Sequence, residues 1–136
     1  MKFLDTNVLL YAIDGSEAER SKSKVARSIL EQRDLALSVQ VLQEFYVQAT
    51  RPSRPDALPH LQAKKFVDAF SRFHVQSLTL PLVQAAMQTH DRFQISYWDA
   101  AIIEGARLSK CHTVLSEDLN DGQDYGGVRV LNPFAA

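Results

Sequence analysis

Two kinds of apolar pattern alternate along the chain. Short, mostly apolar runs predict five buried strands, at residues 2–4, 35–39, 74–78, 113–115 and 128–131. Between them, apolar residues recur every three or four positions and predict six helices, which begin near Val8, Glu17, Gln40, Pro59, Pro81 and Ser96. Because strands alternate with helices, we predict an α/β fold in which a mostly parallel sheet carries helices on both faces.

Several helix ends carry their own sequence signals. Ser16 and Glu19 have the spacing of a capping box, which predicts the start of the second helix. Ser96 and Asp99 repeat this spacing at the start of the sixth helix. Two prolines within residues 51–55 end the third helix, because a helix interior does not accommodate proline.

Composition narrows the class of protein only moderately. The 136 residues are enough for one hydrophobic core, and we expect residues 1–136 to form a single domain. Fifteen basic and sixteen acidic residues leave a net charge of -1, which neither indicates nor excludes a local nucleic-acid surface. Cys111 is the single cysteine, no apolar run is long enough to span a membrane, and the N-terminus lacks a signal-peptide pattern. We therefore expect a cytoplasmic protein.

Four acidic residues fall at one edge of the predicted sheet. Asp5 directly follows the first strand, and Asp118 follows the fourth strand by three residues. Glu44 lies in the first turns of the helix after the second strand, and Asp99 lies at the start of the helix that leads into the fourth strand. Since parallel strands end at the same edge, where ligands commonly bind, all four carboxylates are predicted to lie there.

Each carboxylate also has an ordinary structural interpretation. Asp99 could simply cap its helix, and Glu44 shares a helix face with Gln40 and Gln48, a pattern typical of a solvated surface. Asp5 and Asp118 could be turn residues. Taken together, however, clustered carboxylates repel one another unless a cation binds between them.

The ligand types indicate which cation would bind. Oxygen ligands alone select hard cations, so we predict Mg²⁺ or Mn²⁺. The four histidines are scattered without metal-ligand spacing, which argues against zinc. Neither a nucleotide-binding glycine pattern nor a hydrolase nucleophile elbow is present.

Four segments carry a resemblance to a known family. They are Leu4-Asp5-Thr6-Asn7-Val8-Leu9-Leu10-Tyr11, Val41-Leu42-Gln43-Glu44-Phe45-Tyr46, Trp98-Asp99-Ala100-Ala101-Ile102 and Leu115-Ser116-Glu117-Asp118-Leu119. In this order they resemble the PIN-domain ribonucleases, specifically the VapC-type toxins of toxin–antitoxin pairs, over nearly the whole chain. The resemblance implies a three-layer α/β/α fold with a five-stranded sheet and metal-dependent cleavage of RNA. It also implies a homodimer that a small cognate antitoxin inhibits.

The resemblance also assigns roles to individual residues. It implies an acidic quartet, made of Asp5, Glu44, Asp99 and Asp118. We expect Asp5, Asp99 and Asp118 to bind the metal, while Glu44 binds it or orients a water molecule. Asn7 and Ser116 match polar residues that orient metal, water or phosphate. The chain departs from many members in having Asn120 at a second acidic position, for which Asp121 is the candidate substitute.

Three other interpretations stay open from the sequence. A phosphatase of the haloacid dehalogenase type also begins with a strand and an aspartate, but it requires a second aspartate where this chain has Asn7. The chain could instead be a catalytically inactive PIN module that binds nucleic acid or protein, or its acidic edge could dock an arginine of a partner. Candidate phosphate contacts are the basic residues Arg20, Lys22, Lys24, Arg27, Arg51, Arg54, Lys64 and Lys65.

Overall fold

The structure is a computed structural model that describes residues 1–135. Its strands are β1 (Lys2–Leu4), β2 (Leu35–Ser38), β3 (His74–Gln76), β4 (Thr113–Leu115) and β5 (Arg129–Leu131). Its helices are α1 (Thr6–Ile13), α2 (Arg20–Leu30), α3 (Val39–Ala49), α4 (His60–Phe70), α5 (Leu80–Phe93) and α6 (Tyr97–Leu108).

The five strands form one sheet with the order β3-β2-β1-β4-β5. Every neighbouring pair is parallel, and Phe3 of the central strand β1 lies opposite Ala36 on one side and Val114 on the other. The predicted three-layer α/β/α fold with a five-stranded sheet is confirmed. The prediction of a mostly parallel sheet was too cautious, since all five described strands are parallel.

The core lies where the helices cover the central strands. Phe3 and Leu4 of β1 and Phe45 of α3 are fully buried, and the ring of Phe45 packs edge-on against that of Phe70 with centroids 5.1 Å apart. A Cβ atom at Gly105 would lie 3.2 Å from the Phe3 ring, so glycine lets α6 pack directly on β1. Close packing of α6 on the sheet places its N-terminus at the edge where β1 ends.

Polar residues begin the helices at this carboxyl edge. Asp5 caps α1 by accepting from the backbone N–H of Thr6 (2.7 Å), and Ser38 caps α3 by accepting from that of Val41 (3.3 Å). The cap predicted at Ser96 is confirmed, since the hydroxyl accepts from the Asp99 N–H at 3.0 Å. The chain therefore turns from strand to helix immediately after β1 and β2.

The capping box predicted at Ser16 and Glu19 is wrong. α2 begins at Arg20, three residues later than predicted, and the side chain of Glu19 makes no capping hydrogen bond. The backbone N–H of Ser16 instead donates to Asp14 Oδ1 at 2.8 Å. This turn closed by the Asp14 side chain occupies the positions that would have begun the helix. Within residues 1–135, no helix has the length and apolar character needed to cross a membrane.

Candidate active site

A small pocket of about 140 Å³ lies at the carboxyl edge of the sheet. All four predicted carboxylates line it: they come from the end of β1, from α3, from α6 and from the loop after β4. The lining residues are Asp5, Thr6, Asn7, Leu10, Glu44, Gln48, Trp98, Asp99, Ile102 and Asp118. The prediction that these four carboxylates lie at one edge is thus matched by the geometry.

Asp5 is the most buried of the four carboxylates, with 5% of its surface exposed. Its Oδ1 accepts from the Thr6 N–H and its Oδ2 accepts from the Ser116 hydroxyl, both at 2.7 Å. Burial raises the pKa of Asp5 to about 6, although these two hydrogen bonds lower it. The negative charges of Asp118 and Glu44 contribute to this raised pKa, so the site resists ionisation of Asp5 unless a positive charge is present.

Glu44 is held at both of its oxygens. Its Oε2 accepts from the Thr6 hydroxyl at 2.8 Å, and its Oε1 accepts from the Gln40 side-chain amide at 2.9 Å. Gln40 is only 8% exposed, and its amide also donates to the backbone carbonyl of Trp98 at 3.3 Å. The interpretation of Gln40, Glu44 and Gln48 as a solvated stripe is therefore wrong, because the buried Gln40 links α3 to the start of α6.

Asp99 and Asp118 are more accessible than Asp5. Partial burial raises the pKa of Asp99, the Ser96 hydrogen bond lowers it, and the charges of Asp118 and Glu44 raise it again. Asp118 accepts from the Asn7 side-chain amide at 3.1 Å. The charges of Asp118 and Glu44 thus act on Asp99 as they do on Asp5, which agrees with the position of all four carboxylates around one pocket.

The two predicted polar residues have different positions. Ser116 is fully buried, donates to Asp5 and accepts from the Asp118 N–H at 3.1 Å, so it orients carboxylates rather than facing the pocket. Asn7 does line the pocket, and its Oδ1 accepts from the Glu117 N–H at 3.3 Å. Since Asp5 caps α1, Asn7 is left to hold the loop that carries Asp118.

Asp121 lies apart from these residues. Its Oδ1 accepts from the backbone N–H of Asn132 at 2.8 Å, and it does not line the pocket. The neighbouring Asn120 amide donates to the side chain of Gln123 at 2.9 Å. A supporting role for Asp121 stays a prediction, and its observed contact joins the loop after β4 to the residue that follows β5.

Some of the candidate phosphate-binding residues already have partners. Lys22 Nζ lies 2.7 Å from Glu117 Oε2, and the Tyr11 hydroxyl donates to Glu117 Oε1 at 2.6 Å. Because Glu117 precedes Asp118, this contact steadies the loop that presents Asp118 to the pocket. Arg54 donates to Asp56 at 3.0 Å. Contact of these basic residues with RNA stays a prediction.

The donor set fits a hard divalent cation. Among residues 1–135, no lysine or arginine forms an ion pair with Asp5, Glu44, Asp99 or Asp118. A carboxylate offers about four lone-pair positions, so the hydrogen bonds to Asp5 and Glu44 leave room for an ion. As the side chains stand, however, no group of three or more Asp, Glu, His or Cys residues in the described chain is arranged so that it could hold a metal ion. The pocket therefore gathers suitable ligands without closing them into a cage.

Two pocket-lining residues, Thr6 and Trp98, and one residue behind the lining, Gln40, were missed from the sequence. Thr6 bridges Asp5 and Glu44, Gln40 supports Glu44, and the exposed ring of Trp98 lies at the rim. The four-residue spacing of Gln40 and Glu44 placed them on one helix face, but only their burial distinguishes a support from a solvated neighbour. Thr6 and Trp98 each adjoin a predicted site residue, and nothing else in the sequence singled them out.

Comparison with known proteins identifies the family of the chain. The family model for the PIN domain matches residues 2–120, so the chain belongs to the PIN-domain family. PIN domains are nuclease domains, and membership indicates a nuclease. No curated protein is significantly similar in sequence to the chain.

Several solved structures share the fold. A toxin–antitoxin complex from Klebsiella pneumoniae has a TM-score of 0.71 and 19% identity, with 98% of each chain covered. FitAcB from Neisseria gonorrhoeae has a TM-score of 0.71 and 18% identity over 100% of both chains. VapC20 from Mycobacterium tuberculosis, described as a sarcin-ricin loop cleaving toxin, has a TM-score of 0.66 and 18% identity over 87% of this chain and 92% of its own. At these identities the similarity concerns the fold alone.

Proposed function

We propose that the protein is a divalent-metal-dependent endoribonuclease and the toxin of a toxin–antitoxin pair. The observation that carries the proposal is the pocket lined by Asp5, Glu44, Asp99 and Asp118, none of which is ion-paired to a lysine or arginine among the described residues. Buried and clustered carboxylates are costly unless they bind a cation, and such sites are typically functional.

The mechanism follows from the chemistry of the pocket. Asp5, Asp99 and Asp118 would hold Mg²⁺ or Mn²⁺, which when bound lowers the pKa of a coordinated water and offsets charge on the phosphate. Glu44, which Thr6 and Gln40 hold by hydrogen bonds, would orient the attacking water or accept its proton. In-line attack on phosphorus would leave a 5′-phosphate on one product and a 3′-hydroxyl on the other.

The partners of the protein are inferred from its structural neighbours and from the family resemblance. The structural neighbours include toxin–antitoxin complexes, which supports an antitoxin as the partner of this chain. RNA as the substrate and a homodimer as the assembly are expectations from the family resemblance. An antitoxin arginine placed against the unpaired carboxylates would compete with the metal and inhibit the enzyme.

A substrate panel tests the function directly. The purified protein is incubated with RNA, with DNA and with a phosphate monoester, each with Mg²⁺, with Mn²⁺ and with EDTA. We expect internal cleavage of RNA that requires a metal and disappears in EDTA. Hydrolysis of the monoester alone would instead indicate a phosphatase, and no hydrolysis of any substrate would indicate a binding module.

Matched variants identify the residues responsible. Asp99→Asn should remove RNA cleavage, whereas Asp68→Asn should not, because Asp68 is an exposed carboxylate on α4 that pairs with Lys64 at 3.0 Å. Full activity of Asp99→Asn would contradict the assignment of the site. Equal loss in both variants would indicate a general effect on folding, which circular dichroism would reveal.

A further inference from the structure

We propose that Trp98 is a stacking platform for an unpaired base next to the phosphate that is cleaved. The inference rests on the proposed nuclease function and extends it to the kind of nucleic acid that enters the pocket. Trp98 is the only tryptophan of the chain, and it is 65% exposed although it lines the acidic pocket beside Asp99. A large aromatic ring in water at the rim of a polar pocket is available to a ligand.

Both the backbone and the ring of Trp98 have contacts within the protein before any ligand binds. The backbone carbonyl of Trp98 accepts from the buried Gln40 amide at 3.3 Å, which ties this turn of α6 to α3. The Tyr97 ring packs edge-on against the indole, with centroids 5.1 Å apart and planes at 83°. One face of a ring that is supported in this way can receive a base at little cost in conformational entropy.

The charges around the pocket favour an uncharged base as the group that provides binding energy. No lysine or arginine is among the described residues that line it, so side-chain cations do not supply affinity for RNA at the reacting phosphate. A base that stacks on an indole carries no net charge and is not repelled by the neighbouring carboxylates. Stacking therefore provides binding energy that the acidic surface itself cannot provide.

The same geometry selects the form of the nucleic acid. A base inside a duplex already stacks on its neighbours, and exposing its face requires it to leave the helix. A single-stranded segment, loop or bulge presents its bases without that cost. Trp98 thus favours unpaired RNA, and since every base has a π-face the preference for base identity is weak.

Fluorescence of the single tryptophan reports stacking directly. The protein is titrated in EDTA, which prevents cleavage, with a short single-stranded oligoribonucleotide, the same strand with one abasic position, and its duplex. We expect the single strand to quench the emission, and both the abasic strand and the duplex to quench it less. Equal quenching by all three ligands, or none, overturns the proposal.

Variants separate stacking from other roles. Trp98→Ala should raise the Kd for single-stranded RNA and the KM for cleavage about tenfold, with kcat at saturation little changed, because stacking acts in binding. Trp98→Phe should keep most of the affinity, since it retains an aromatic face. Leu61→Ala, which alters a residue that is 70% exposed on α4, is the surface control and should change neither constant.

The outcomes distinguish this inference from the proposed function. If the wild type cleaves RNA but Trp98→Ala leaves Kd and KM unchanged, the inference fails and the nuclease stands. If Trp98→Ala instead changes the oligomeric state in light scattering while RNA affinity is unchanged, the ring is a protein contact and the inference fails too. If the wild type cleaves nothing, the nuclease proposal fails, and the quenching pattern alone then decides whether Trp98 stacks on bases.

Discussion

Asp5 and Glu104 are both 5% exposed, yet these two buried carboxylates have different hydrogen-bond and charge partners. Glu104 on α6 has its own cation, because Arg107 donates to its two oxygens at 3.0 and 3.3 Å, and Thr89 donates to it at 2.9 Å. Asp5 has only the neutral donors Thr6 and Ser116 and lies near two further carboxylates.

We interpret this difference as that between a structural charge at Glu104 and the proposed functional charge at Asp5. Arg107 also donates to the backbone carbonyls of Tyr125 and Gly126, so the Glu104 pair fastens the chain before β5 onto α6. Its donors and acceptors are satisfied within the protein. The Asp5 pocket lacks a positive charge of its own, which leaves a place for an external cation.

Replacing each of the two buried carboxylates by its amide should distinguish Asp5 from Glu104 most clearly. Asp5→Asn should reduce metal-dependent RNA cleavage at least about 1,000-fold, because loss of even an outer partner of a metal ligand typically costs 10- to 100-fold. Glu104→Gln should keep the activity of the folded fraction within about threefold. Rates normalised to the folded fraction check this, and equal losses would show that Asp5 acts through the fold.

Removing the cation of the Glu104–Arg107 pair should affect the stability of the fold rather than RNA cleavage. Arg107→Met leaves Glu104 buried without its partner and should lower the free energy of unfolding by about 4 kcal/mol. Urea denaturation at pH 7 measures the change. Arg92→Met is the control, since Arg92 is exposed, packs over the Phe93 ring and forms no ion pair among the described residues. An equal loss of stability in both variants would show that the Glu104–Arg107 pair has no special role in stability.

Stability of the metal-free protein should depend on pH through Asp5. Because its folded pKa of about 6 exceeds the ordinary 3.8, the folded state holds this proton more tightly than the unfolded chain. The stabilising contribution is complete below about pH 4 and is lost as pH rises through 6, by about 3 kcal/mol for a shift of two units.

Denaturation in EDTA at pH 4.5 and pH 7 tests this dependence. Asp5→Asn should lack the Asp5 contribution, so the difference between the wild type and the variant isolates it from other titrating groups. Added Mg²⁺ should restore wild-type stability at pH 7. A difference that does not change with pH would show that Asp5 ionises normally.

The smallest expected effect concerns the support of Glu44. Gln40→Ala removes the amide that bonds both Glu44 and the Trp98 carbonyl, and should raise the Mg²⁺ concentration for half-maximal activity about tenfold. Gln43→Ala, at an exposed position of the same helix, should leave it unchanged. Calorimetric titration of Mg²⁺ gives a second readout, and unaltered metal affinity would reduce Gln40 to a packing residue.

The sequence predicted the architecture and the carboxylates of the site because both depend on short-range patterns and simple topology. Alternating strands and helices imply parallel strands, and parallel strands bring Asp5, Glu44 and Asp118 to one edge whatever the details of packing. It failed at Ser16, where a turn formed by Asp14 competes locally with the capping box. It also misjudged Gln40, since helical periodicity does not reveal which neighbouring elements cover a face.

The contacts between distant residues, and the environments that these contacts create, depend on the tertiary structure. Thr6 reaches Glu44 across 38 residues of sequence, and Ser116 reaches Asp5 across 111. The raised pKa of Asp5, the cation-paired state of Glu104 and the exposure of Trp98 all depend on which groups pack around each side chain. Local propensity and strand order set where a side chain lies, whereas burial and neighbouring charge set what it can do.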